Sequence, residues 1–330
     1  MRPRHTGTVS IVAVGSAVRE VAACHVGNWR LQLQRVSNCA NFARMAADMR
    51  NRLKSTMGRV ARLTGAYERR FRSQMTIVAF HRVNDELPGD ALTCAPAKFE
   101  AFCRFFGKHF RVVPLAEQVA GCRAGCDLGG TLSITLDDGY LDHVEIAAPI
   151  LRRLNLPATF FVTTGFIGSQ VTPAWDRDLP IRSRWMTWDD VYSLHSQGFE
   201  IGSHTDSHLD IAKADPETVR ADLALSRKKL LEALGTSAVP LFAYPFGGPE
   251  HISRQARELV REAGFACCVA CHGGVNAPSP DPFALNRIAV DQWYTDPDLF
   301  GFELLTGRRA YGAGIEPRNS AGFPGDVLSQ

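Results

Sequence analysis

From Met75 onward, two kinds of spacing alternate along this chain. Short apolar, β-branched runs give way to longer stretches in which apolar residues recur every three or four positions. MTIVAFHRV (75–83), TLSITL (131–136), PATFFVTT (157–164), FEIGSH (199–204), VPLFAYPFGG (239–248), FACCVA (265–270) and ALNRIAV (284–290) read as strands. Between them, PAKFEAFCRFFGKHF (96–110), MTWDDVYSLHSQG (186–198), PETVRADLALSRKKLLEALG (216–235) and ISRQARELVREAG (252–264) read as helices. Pro96 suits a first turn, Thr187 an N-cap and Gly235 a C-terminal stop. Pro149 interrupts a further helical pattern in DHVEIAAPILRRL. The strand runs lack clean alternation, as strands covered on both faces do. About seven strands, alternating with helices, predict an α/β fold of the (β/α) barrel kind, incomplete or distorted, over an open sheet.

Upstream of Met75 the pattern is different. Residues 41–74 show helical spacing in which basic residues fill most polar positions. Residues 1–74 carry 14 Lys/Arg against 3 Asp/Glu, a local +11, so the rest of the chain carries −8 of the overall +3. The expected organisation is a basic, partly helical arm (1–74), a globular domain (75–309) and a Gly/Pro-rich tail (310–330) predicted to be disordered. The arm reads either as a solvated helix resting on the body or as a peripheral contact with an anionic membrane surface. No nucleic-acid motif accompanies it and interleaved aromatics are few, so nucleic acid is not an expected partner.

The nine cysteines are odd in number and lack metal-type pairing, which favours reduced, buried thiols. MRPRHTGTVSIVAVGSAV is faintly leader-like, but its apolar run is short and contains Gly and Ser. A cytoplasmic or membrane-associated location is therefore expected ahead of secretion. Met45, Met49 and Met57 also allow a start further in, with the first residues not native sequence.

Polar residues collect where the predicted strands end. Asp137 and Asp138 follow TLSITL, His204 and His208 close SHTDSH, and Tyr244, Pro245 and Phe246 lie in AYPFGG. His81 follows the first strand and Arg287 lies within the last. In an α/β barrel the C-terminal strand ends form the active-site face, so these residues would converge. Alone, HxxxH is a weak signal, and Asp-Asp-Gly is common at turns. Together, two imidazoles and a carboxylate make a three-ligand metal site with an open position, and the spare carboxylate can act as a base. A bound cation also offsets the repulsion between adjacent carboxylates.

TLDDG, SHTDSH and YPFG, in this order, resemble the motifs of the polysaccharide deacetylases of carbohydrate esterase family 4, the NodB-homology domain. MTWDDV, GFEIGSH and AFHRV are also similar to phrases of that family, and the resemblance covers roughly residues 75 to 305. It implies a metal-dependent hydrolase that removes N-acetyl groups from an N-acetylated sugar in a polysaccharide, oligosaccharide or lipid-linked glycan. Asp137 would be the general base, and Asp138, His204 and His208 would hold a divalent ion, Zn²⁺ by expectation. The backbone N–H of Tyr140 would meet the oxyanion, with Tyr244, Pro245 and Phe246 beside the substrate.

Three departures stand out. Leu136 replaces the usual Phe of the first motif. The Arg that steadies the base in the third motif is Ala243 here, which makes Arg287 the candidate to supply that guanidinium. The usual acid motif is absent, leaving His81 and His272 as candidates. Two alternatives stay open: an esterase or cyclic-amide hydrolase on the same fold, and a catalytically silent carbohydrate-binding homologue. Trp175 and Trp185, in the 165–185 loop, would either stack on sugar rings or pin that loop.

Overall fold

TLSITL forms the central strand, Thr131–Leu136, and all six of its residues are buried. Its two faces differ in chemistry. Leu132, Ile134 and Leu136 pack with helix residues such as Phe102, Phe106 and Leu151. Thr131, Ser133 and Thr135 point the other way. Alternation is therefore present, but between apolar and small hydroxyl side chains. A computed structural model describes this architecture for residues 45–235, 241–290 and 294–306. The predicted tail and residues 1–44 of the arm lie outside the described residues.

The chain divides into two units, Met1–Leu53 and Lys54–Gln330. In the first, the described residues 45–53 are helical. Among its described residues the second contains nine strands: β1 (Thr76–Phe80), β2 (Arg82–Val83), β3 (Thr93–Cys94), β4 (Arg111–Val112), β5 (Thr131–Leu136), β6 (Thr159–Val162), β7 (Glu200–Ser203), β8 (Val269–Gly273) and β9 (Leu285–Ala289). The main sheet has seven strands in the order β7-β6-β5-β1-β9-β8, with β4 added against β5. Every pairing in it is parallel. Phe242 bridges to Ser203 of β7, and Ala243 bridges to Val269 of β8. Those two residues close the sheet into a distorted barrel, as the strand–helix pattern predicts.

The interior of the ring is filled by Ile77, Phe161, Leu241, Ala243, Val269 and Leu285. Outside, the helix Pro96–His109 lays Phe99, Phe102 and Phe106 on the sheet. Thr187 caps the helix Trp188–Ser196 through a reciprocal pair of bonds with Asp190. Helix Pro216–Leu234 begins at an Asp215 cap and ends at Gly235. Tyr67 and Phe71, just upstream of β1, are buried in the same cluster as these aromatics.

Several elements differ from the sequence pattern. MTIVAFHRV breaks at His81, because β2 leaves the barrel to pair with β3 in a separate two-stranded sheet. Among the described residues of VPLFAYPFGG only Phe242 and Ala243 bridge to neighbours, since Pro245 has no N–H and Phe246 and Gly247 turn at positive φ. FACCVA pairs later than predicted, at Val269–Gly273; its unbroken apolar run guarantees burial but does not say where pairing begins. Around Pro149, residues His143–Ala147 form a π turn ahead of Ala148–Arg153, which accommodates a ring that would otherwise crowd the preceding carbonyl. Helices Leu115–Ala124 and Pro297–Thr306 were not anticipated.

Candidate metal centre and active site

The strand registers bring the polar residues together. Phe80 pairs with Leu136, so His81 and Asp137 leave β1 and β5 side by side. Val162 pairs with Ser203, which places His204 at the same barrel end. There the Oδ1 atom of Asp138 lies 3.4 Å from Nε2 of His204 and 3.4 Å from Nε2 of His208. The three candidate ligand atoms all fall within 4.8 Å of one another.

These residues fit a divalent ion. A tetrahedral ion with bonds of about 2.0–2.1 Å needs adjacent donors about 3.3–3.4 Å apart. His204 donates its Nδ1–H to the Ala243 carbonyl at 3.0 Å, which leaves the Nε2 lone pair facing the triad. Oδ1 of Asp138 and Nδ1 of His208 are buried without hydrogen-bond partners among the described residues. Burial would raise the Asp138 pKa, yet the two imidazoles hold it well below the usual carboxylate range. Burial also pushes His208 down, towards the neutral form a metal requires, against the opposing pull of Asp138.

Local backbone strain marks the same place. Asp138, Thr205, His208 and Phe246 all adopt positive φ without being glycine. The turn between the histidines is wired to helix Pro216–Leu234. Asp222 on that helix accepts the backbone N–H of Asp206 at 2.7 Å, and the N–H and hydroxyl of Ser207 at 3.0 and 2.6 Å. Asp222→Ala should therefore cost about 1–3 kcal/mol in urea unfolding, from the donors it strands. An unchanged midpoint would mean that the turn holds itself.

Arg287, the candidate guanidinium, meets Asp137. From β9 it grips Asp137 with two parallel bonds, Nη1 to Oδ1 at 2.7 Å and Nη2 to Oδ2 at 2.6 Å. It is fixed by donating to the Ala270 carbonyl and the Thr135 hydroxyl, and its Cζ lies 5.5 Å from the centre of the Phe161 ring. Both partners are about 1% exposed. Burial would raise the Asp137 pKa, but Arg287, aided by His204, holds it below the ordinary carboxylate value. Asp137 is thus an ionised carboxylate fixed beside the triad. His81 is partly exposed and close enough for its charge to bear on both Asp137 and His208. Its carbonyl accepts from Nε2 of the buried His143 at 2.7 Å.

Tyr140 forms a bridge with Trp185 that is flanked by bonds from Leu141 N–H to Arg184 and from Met186 N–H to Gly139. Those bonds leave the Tyr140 N–H facing away from Trp185, and no backbone acceptor meets it among the described residues. Its phenol is buried, donates to Asp176 and accepts from Arg82 and Trp175. Arg82 and Asp176 pair at 2.6 Å beneath it. This network ties the 165–185 loop to the site and is not legible in the sequence. A strand-end arginine and a loop aspartate 94 residues apart carry no shared local signal.

The AYPFG residues separate. Phe246 stands at the mouth, its ring 4.8 Å from His208 and stacked 5.1 Å from His251. Pro245 is buried. Tyr244, expected beside the substrate, turns instead into the core with Phe242, Leu223 and Leu259, because successive side chains of an extended chain point to opposite faces. His272 donates its Nδ1–H to the Gly247 carbonyl at 2.8 Å, on the flank of the β8 end. Trp175 lies 4.3 Å from the His208 ring and forms a wall of the site. Trp185 is buried against Tyr140 and Phe166 and bonds to the Val171 carbonyl, so it pins the loop.

Three comparisons agree with this geometry. The YxkH protein of Bacillus subtilis (strain 168), assigned to polysaccharide deacetylation, is 26% identical over 157 residues, 48% of this chain and 50% of that one. The chain thus spans about half the length of that relative. In fold it is similar to a de-N-acetylase of Aggregatibacter actinomycetemcomitans, with TM-score 0.58 and 18% identity, over 69% of this chain and 99% of that one. It is likewise similar to the Streptococcus pyogenes deacetylase PplD in complex with acetate, with TM-score 0.57 and 18% identity, over 69% and 96% of the two chains. Residues 124–268, which include Asp137, Asp138, His204 and His208, match the family model described as polysaccharide deacetylase.

Proposed function

We propose that this chain is a metal-dependent hydrolase that removes N-acetyl groups from an amino sugar in a polysaccharide, oligosaccharide or lipid-linked glycan. The observation that carries the proposal is the pairing of two arrangements at one barrel end. Asp138, His204 and His208 form an ion-sized set, and beside it Asp137 is held ionised by Arg287. The names of the structural neighbours, a de-N-acetylase and a deacetylase with acetate, support the same chemistry.

Asp138, His204 and His208 would hold the divalent ion, for which Zn²⁺ suits the donor set. When bound, such an ion supplies the Lewis acidity that makes water easier to deprotonate and a carbonyl more electrophilic. Asp137 takes the proton of the attacking water. Its depressed pKa makes it a weak base, so its contribution is position, and Arg287 fixes that position. The water oxygen bonds to the acetyl carbon, and the Tyr140 N–H meets the negative charge that develops on the carbonyl oxygen. His81, at the end of β1, gives a proton to the leaving nitrogen as the C–N bond breaks. Acetate and a free sugar amine result. Trp175 and Phe246 offer ring faces to the sugar on either side of His208.

The test is a metal assay joined to a release assay. Purified protein should hold about one divalent ion per chain, and His204→Ala should lose both the ion and acetate release from N-acetylated oligosaccharides. A wild type that binds the ion yet frees no acetate from chitooligosaccharides, peptidoglycan fragments or poly-N-acetylglucosamine would sink the proposal.

A further inference from the structure

Ten large apolar side chains are exposed among the described residues, and six of them lie between Met45 and Leu63. A random scatter would not place them so densely. Residues 54–63 are helical. At about 100° per residue, Met57, Val60 and Leu63 fall on one arc of that helix. They are 50%, 56% and 80% exposed.

The opposite arc is the one that docks on the domain. Ser55 bonds to Asp296, Lys54 pairs with Glu303, and Ala61 packs on the core. Gly58 lies so close to Asp298 that an added Cβ would strike its carbonyl. Small and polar residues thus face the protein, and large apolar ones face outward, the reverse of an ordinary surface helix. In the other unit, residues 45–53 are helical, and Met45, Met49 and Leu53 are each at least 62% exposed.

Charge says what covers such a face. Residues 45–74 contain eight Lys/Arg and two Asp/Glu. Arg59 borders the arc of Met57, Val60 and Leu63, and its side chain is 67% exposed. An apolar stripe edged by cations matches an anionic lipid surface, apolar below and negative at the headgroups. Face-to-face pairing with a second copy would bring two basic stripes together. No described helix is long and apolar enough to cross a membrane, so the contact would lie in the plane of the interface.

We propose that the outward apolar face of residues 54–63 docks this protein on an anionic lipid surface. Neither the ion nor the deacetylation reaction enters this inference. The test is sedimentation of the full chain with vesicles of phosphatidylcholine alone or mixed with phosphatidylglycerol. Partition should be at least about tenfold stronger on the anionic vesicles and weaken in high salt. The triple variant Met57→Gln, Val60→Gln, Leu63→Gln should lower it by about tenfold with the thermal midpoint unchanged, because none of the three is buried. Equal partition of variant and wild type, or no binding to anionic vesicles, overturns the proposal. So does light scattering, without lipid, that finds a wild-type dimer which the variant converts to monomer.

Discussion

Arg287→Met is expected to lower the free energy of unfolding by about 3–5 kcal/mol, because it strands a buried carboxylate. Urea titration reads this directly. In the wild type the pair's contribution is fully present above the unfolded aspartate pKa of about 3.9. It is lost only as pH falls through the lower folded value. Without the guanidinium, burial is opposed only by the weaker pull of His204 and His81, and the Asp137 pKa moves up. The variant's carboxylate then takes up a proton as pH falls through that raised value. Its catalytic acid limb should move to higher pH, with activity partly recovered on the alkaline side. Arg287→Lys keeps the charge but loses the two-pronged grip, and should fall between. An Arg287→Met protein with wild-type stability and an unmoved pH profile would show that the pair neither stabilises the fold nor orients a base.

Asp137→Asn is expected to slow acetate release by about 10²–10⁴-fold, the range for losing a positioned general base. Ion content should stay, since Asp138, His204 and His208 are untouched. Stability should fall too, because Arg287 then keeps a buried charge without its partner. The double variant Asp137→Asn, Arg287→Met removes both charges and should regain much of the lost stability while staying inactive. Recovery of stability without recovery of turnover separates a catalytic carboxylate from a merely structural one. Turnover within a few-fold of wild type in Asp137→Asn would remove Asp137 from the mechanism.

The parts of the site legible in the sequence were those carried on single segments. TLDDG and SHTDSH each place their residues within one strand end, so two imidazoles and a carboxylate could be paired from the sequence, and the family resemblance singled out Asp138 as the ligand. Arg287 was legible only as a candidate. Its role depends on β9 lying beside β1, in a register that pairs Val78 with Ile288, and no local pattern encodes that alignment. Arg82, Asp176 and Asp222 were invisible for the same reason, since each acts across a long separation. Tyr244 shows the opposite limit. The motif marked the right segment, but which neighbour faces the site depends on where the strand stops and on the positive φ of Phe246. Burial was read well and direction less well: TLSITL looked uniformly apolar-leaning, yet its hydroxyls face one way and its aliphatic groups the other.

The seam at Phe242 and Ala243 closes the ring through single bridges on either side. It is the thinnest link in an otherwise continuous hoop of backbone bonds. The Ala243 carbonyl in that seam also accepts the His204 Nδ1–H. Ligand orientation and ring closure therefore share one peptide group. If an ion binds the closed ring more tightly than an opened one, closure must favour the ion by the same factor. A hoop fastened this way works as a clasp: the group that latches it is the group that aims the imidazole.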